Sequence, residues 1–320
     1  MNAKQKKRLI FLSAALAAAV LVFLILKNQN AASTDEAGDT ADTTAAAAAS
    51  VTELSYSNGS VTLRFSRDSG GNWYWREDSG FPLDGVRVDA IAAAAADLTP
   101  VSSVPATEAD ALEAYGLQSP ARYVSYTLSD GTAATLYLGS QSADGTYYAL
   151  QKDGDGSVWL IDAALSDQTA SDINDLALLP TLPAITDDAV RQVHITASGL
   201  DRTVTVTSSD GTAVWSCDGA DVTDRQEVAG FRSAIAGLAV TACVDYRPSA
   251  EAYALCGLTD TAVKITVSYA GTPDGQLSVT VGAARDTGGG YFVLLGDSTI
   301  YLMSASQASA LLAMAGSWES

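Results

Sequence analysis

The chain has one histidine, His194, and three cysteines, Cys217, Cys243 and Cys256, with no Cys-x-x-Cys pair. One histidine cannot build a multi-histidine metal site, and the cysteine spacing fits neither a zinc site nor a framework of paired disulfides. Cys243 and Cys256, with 12 residues between them, are the pair an oxidising compartment would join; buried free thiols are the alternative. A Gly-x-Ser-x-Gly nucleophile turn is missing, so a serine hydrolase of that design is excluded. Basic residues are scarce and unevenly placed. Five of the 18 lie in the first 27 positions, where none of the 37 acidic residues occurs. The remainder carries a formal charge of −24, which excludes nucleic acid and anionic lipid headgroups as partners of that part. Long apolar runs are also missing, with one exception.

That exception decides topology. Lys4, Lys6, Lys7 and Arg8 precede Leu9 to Leu26, 18 residues in which Ser13 is the only polar one. As a helix this run is about 27 Å long, close to the ~30 Å hydrocarbon core of a bilayer. The basic cluster predicts a cytoplasmic N-terminus and an exported remainder. A cleaved signal peptide shares this plan, with small residues at Ala31 and Ala32, but its apolar core usually runs about 7–15 residues. The expectation is a retained anchor over 9–26 behind a basic tail, 1–8. Residues 27–50 are rich in Ala, Thr, Asp and Ser and hold no aromatic residue. They read as a disordered tether with a reach of roughly 25–30 Å.

Hydrophobic residues make up 48% of the chain, ample for a packed core. Val61, Leu63 and Phe65 alternate with polar residues, and Trp73, Tyr74 and Trp75 follow a Gly70-Gly71 turn, the pattern of a hairpin. Val86 to Leu98 has a helical apolar face ending before Pro100, and a short helix over Glu108 to Tyr115 ends at Gly116. Strands are predicted at Tyr123 to Leu128, Thr135 to Leu138, Tyr147 to Leu150 and Val158 to Ile161. Asp-Gly turns separate them at Asp130, Asp144 and Asp153. A helix from Leu165 to Leu178 closes the unit.

The pattern then repeats. Strands over Val193 to Cys217 precede a helix from Arg225 to Leu238, a short helix at Ala252 to Gly257, and strands through Ile300 to Met303. Ser304 and Gln307 form a capping box for a last helix. Gly116 and Gly257 lie 141 positions apart, and Gly139 and Gly282 lie 143 apart. Pro180 and Pro183 mark the joint. The expected fold is α+β: anchor, linker and two tandem related domains, 51–179 and 190–320, each an antiparallel sheet with flanking helices.

The ordered residues Trp73-x-Trp75, Phe81-Pro82-Leu83-Asp84, Leu112 to Leu117 with Pro120, Leu136-x-Leu138-Gly139, Tyr147-Tyr148-Ala149 and Val158-x-Leu160-Ile161 resemble the bacterial family called domain of unknown function 4340. The resemblance covers Leu54 to Leu179, with the second half a weaker copy: its tryptophan pair is reduced to Trp215, and Cys256 replaces Tyr115. The resemblance implies a membrane-anchored, extracytoplasmic protein that serves a gliding-type ABC transporter or another envelope complex. It implies no catalytic residues.

The residues give little chemistry of their own. His194 alternates with Val193 and Ile195 and faces the polar side of a strand. Asp153 to Ser157 begins like a calcium loop but has Ala164 where the bidentate glutamate belongs, so it reads as a turn. Gly288 to Gly290 precedes a strand and cannot cradle a phosphate at a helix N-terminus. Glu77 and Asp78 adjoin Trp73 and Trp75, yet neighbouring strand residues face opposite ways. Three readings follow. The first is a non-enzymatic accessory subunit with no cofactor, metal or catalytic residue. The second is a glycan- or peptide-binding module using Trp73 and Trp75 as its ligand or partner surface, which requires an open aromatic groove. The third is a hydrolase relying on carboxylates alone.

Overall fold

The computed structural model describes residues 49–105, 109–152, 154, 156–209 and 212–316. The apolar run Leu9 to Leu26, the basic tail, nearly all of the tether and both aspartates of the 153–155 turn lie outside them. No helix among the described residues is long and apolar enough to cross a membrane.

Residues 49–320 cluster as one compact unit that holds two antiparallel sheets with a few helices. The first half runs β1 (Val51–Asn58), β2 (Thr62–Arg67), β3 (Trp73–Trp75), α1 (Gly85–Ala96), β4 (Ser102–Pro105), α2 (Ala109–Ala114), β5 (Arg122–Leu128), β6 (Ala133–Gln141), β7 (Tyr147–Gln151), β8 (Ser157–Ile161) and α3 (Ala163–Gln168). Its strands lie in the order β3-β2-β1-β5-β6-β7-β8-β4. The second half runs β9 (Val190–Ala197), β10 (Leu200–Ser209), β11 (Thr212–Cys217), β12 (Ala220–Asp221), α4 (Gln226–Ala236), β13 (Val240–Asp245), α5 (Ala250–Leu255), β14 (Val263–Tyr269), β15 (Gly275–Ala284), β16 (Tyr291–Leu294), β17 (Ile300–Met303) and α6 (Ala305–Ala313). Its order is β12-β11-β10-β9-β14-β15-β16-β17-β13. Apart from the two-residue β12, the second order repeats the first strand for strand.

Alternation builds each core. In the first half Leu54, Tyr56, Leu63, Phe65, Val124, Leu136 and Leu138 point one way and meet Val88, Ile91, Ala92 and Ala95 of α1. Those four positions follow helical spacing, and each large apolar side chain buried there contributes about 1.5–3 kcal/mol. Asp84 starts α1: its carboxylate accepts the backbone N–H groups of Val86 and Arg87. In the second half Val193, Ile195, Val204, Trp215, Ile265 and Val279 meet Val228, Phe231 and Ile235 of α4 and Leu311 of α6. The Ser304 hydroxyl caps α6 as expected. The Gln307 Oε1 accepts the Ser304 hydroxyl at 3.3 Å, and its Nε2 donates to the Gly237 carbonyl at 2.6 Å, tying α6 to the end of α4.

Part of the opposite sheet face is covered as well. Cys256, Leu258 and Ile300 form a small cluster there beside Tyr253, Phe292 and Leu294. In the first half Tyr115 stacks on Tyr148, ring centroids 4.4 Å apart, at the corresponding place.

Several boundaries differ from the sequence reading. The helix expected over Leu165 to Leu178 stops at Gln168 and resumes as a single 3-10 turn, Asn174–Leu176. The Thr169 hydroxyl donates back to the Leu165 carbonyl at 2.8 Å, and the Asp172 carboxylate takes the N–H of Asn174 at 2.7 Å. The Leu165 carbonyl thus takes both the hydroxyl and the N–H of Thr169, and beyond it the Asp172 side chain caps a separate turn. Strands β1, β4, β12 and β13 lie outside the sequence reading. The last three are edge strands, and β4 ends in Pro105.

Candidate interaction surface

Trp73 and Trp75 sit on β3, paired with Arg67 and Phe65 of β2. Trp73 is 8% exposed and belongs to the first core. Its Nε1–H donates to Asp89 of α1 at 2.8 Å, and Arg67, ion-paired with the same carboxylate, lies 4.4 Å above the indole. The second half repeats the chemistry with other residues. The Trp215 Nε1–H donates to Asp187 at 3.0 Å, and Asp187 pairs with Arg232 of α4.

Trp75 does different work. It packs against both cores, and its ring meets Phe81 edge-on at 5.6 Å. Phe81 meets Tyr246 of the second half edge-on at 5.1 Å. The Tyr246 hydroxyl donates to the Gly80 carbonyl at 2.7 Å, and Asp78 pairs with Arg247 at 2.8 Å. Phe81, Ala177 and Ile185 are counted within the second core. The aromatic pair therefore serves the interior and the junction between halves.

The remaining candidates are scattered. Glu77 pairs with Arg64 at 3.0 Å while Asp78 faces Arg247, so the two adjacent acids do not converge. His194 Nε2 lies 2.8 Å from the Asp201 carboxylate on a solvated strand face. Cys217, Cys243 and Cys256 are free and buried. Burial pushes the Cys243 thiol up to about 11, with Asp245 and Asp172 adding to it. No group of three His, Cys, Asp or Glu among the described residues is arranged to hold a metal ion. Asp68, Asp130, Asp144 and Asp221 sit in turns, where hydroxyls or backbone N–H groups bond to the carboxylate and hold it below the usual range. For Asp144 the value is about 2, with the Ser142 hydroxyl the largest cause.

Residues 73–225 match the family model described as Domain of unknown function (DUF4340). The chain resembles that family. The match to DUF4340 starts at Trp73, later than the expected Leu54, and continues past the joint to Arg225. It therefore contains β3, the junction residues Phe81 and Ile185, and the first strands of the second half. No match was found among curated proteins or among solved structures.

Depressions with polar linings occur among the described residues. One of 350 Å³ lies on the outer face of the second sheet and holds Lys264, Thr196, Thr280, Thr259 and Asp260. One of 180 Å³ lies on the outer face of the first sheet, with Arg64, Arg76 and Glu53. One of 120 Å³ runs along the junction between Arg87 and Cys243. The sequence did not point to any of them, because each draws residues from strands distant in the chain.

Proposed function

We propose that the protein is a non-enzymatic, membrane-tethered extracytoplasmic subunit of an envelope complex, an ABC transporter being the favoured host. The state of the carboxylates carries the non-enzymatic part. A carboxylate-only hydrolase needs one acid kept protonated near neutral pH beside an ionised partner. The adjacent acids beside the tryptophans are engaged separately, Glu77 with Arg64 and Asp78 with Arg247, and Asp68, Asp130, Asp144 and Asp221 are turn residues bonded to neighbouring N–H or hydroxyl groups. The basic cluster and apolar run of residues 4–26 support the tether. The likeness to DUF4340 supports the envelope setting.

The test is crosslinking of the full-length protein in native membranes, affinity recovery and mass spectrometry. Stoichiometric recovery of transporter subunits is expected. A membrane fraction lacking the protein, or recovery without any stoichiometric envelope protein, would overturn the proposal.

A further inference from the structure

The duplicated topology allows the halves to be compared position by position, and at one place they differ in kind. Across the second sheet, Thr196 pairs with Lys264, Lys264 with Thr280, and Thr280 with Leu294, forming one cross-strand row on the outer face. The equivalent row of the first sheet is Ser57, Tyr123, Tyr137 and Leu150. Two phenol rings stand in the first half where the second has an ammonium group and a small hydroxyl. Without that aromatic bulk, the row borders the 350 Å³ depression, walled on one side by Leu258 to Ala262.

Its chemistry is mixed and convergent. Leu258 is anchored in the small cluster with Cys256 and Ile300, so the wall is fixed rather than loose. Leu258, Leu294 and Ala262 supply apolar surface, Thr196 and Thr280 supply hydroxyls, and Asp260 supplies a carboxylate acceptor. The Thr259 hydroxyl is engaged with that of Thr261 at 2.9 Å. Lys264 takes part in none of the ion pairs among the described residues, although acids outnumber bases there by far. The ammonium is exposed at the mouth of the depression and is held by no carboxylate among the described residues, Asp260 included, so it is available to an incoming anion.

We infer that this depression is a ligand site for a small polyol bearing one anionic group, a carboxylate or a phosphate, with Lys264 meeting the anion and Thr196, Thr280 and Asp260 meeting hydroxyls. The acidic surface repels anions at long range, more strongly the more charge they carry, which favours a ligand with a single anionic group. A cavity of 350 Å³ takes a molecule about the size of a monosaccharide. The site is independent of the transporter partnership, and either can fail without the other.

The experiment is calorimetric titration of the purified full-length protein with galacturonate, glycerol 3-phosphate and, as the uncharged arm, galactose. Binding of galacturonate assigns a carboxylate ligand, and binding of glycerol 3-phosphate a phosphate ligand. Lys264→Gln should weaken the bound anion roughly tenfold or more, the usual cost of one charge-assisted hydrogen bond. Thr280→Tyr restores the bulk of the first half and should abolish binding. Circular dichroism confirms that each variant folds, and Lys264→Gln decides alone if Thr280→Tyr does not. Galactose binding as well as the anions, anion binding indifferent to Lys264→Gln, or no heat from either anion at roughly 10 mM, enough to fill a millimolar site, would each overturn the inference.

Discussion

Gly139 and Gly282 show how one missing methyl group sets the packing of an element. A Cβ on Gly139 would fall 2.2 Å from the Tyr115 carbonyl oxygen, and one on Gly282 would fall 2.3 Å from that of Cys256. These carbonyls accept N–H groups from Ser140 and Ala283, both at 2.8 Å, so the segment after each short helix bonds directly to a sheet strand. The approach works because Gly116 and Gly257 follow at φ +70° and +66°, a left-handed conformation that turns the chain sharply. Gly282→Ala has to push a hydrogen-bonded backbone away and should cost about 1–3 kcal/mol. Gly131→Ala is the control: its φ is +87° but nothing lies within 4 Å, so only the backbone penalty of about 1–2 kcal/mol applies. Urea unfolding of the two variants separates the effects, because only Gly282→Ala should also loosen the packing of Leu258. Amide exchange that slows or stays unchanged around Leu258 in Gly282→Ala would contradict this reading.

At the scale of elements, each sheet uses the same device to hold a tryptophan near its rim: an indole N–H, an aspartate and an arginine. The arrangement is not inherited position by position, since Asp89 comes from α1 while Asp187 comes from the 3-10 turn before β9. Asp187→Ala strands the N–H of fully buried Trp215 and should cost about 1–3 kcal/mol; Asp187→Asn keeps an acceptor and should cost less. The difference in urea midpoints checks it, and equal losses would mean that the ion pair with Arg232 carries the effect. The sequence showed the alternating strands, the Asp-Gly turns and the helix faces of α1 and α4, because those signals are local and periodic. It hid β4 and β13, edge strands whose pairing partners come 50 or more residues later. It left Trp73 and Trp75 open between core plus rim and a ligand or partner surface. Composition cannot distinguish an indole on a rim from one wedged between two cores, because the partners Asp89, Phe81 and Tyr246 are brought in by the fold. The row of Thr196, Lys264 and Thr280 was invisible for the same reason.

For the molecule as a whole, the question is what makes two similar sheets one compact unit. The exposed contribution is small: Arg247, 67% exposed, pairs with Asp78, and such a pair is worth about 0–1 kcal/mol. The apolar contribution is large. Phe81 is 6% exposed and touches Trp75 on one side and Tyr246 on the other, so it spans the junction. Removing its ring should cost about 3–5 kcal/mol by cavity formation and lost transfer energy. That loss falls on the contacts that make unfolding of one half expose the other. In calorimetry the parent protein should therefore show one endotherm. Phe81→Ala should show two, each half now melting alone, whereas Arg247→Ala should keep one endotherm with little change in midpoint. A single lowered endotherm in Phe81→Ala would mean that the other shared residues, Ala177 and Ile185, suffice to couple the halves.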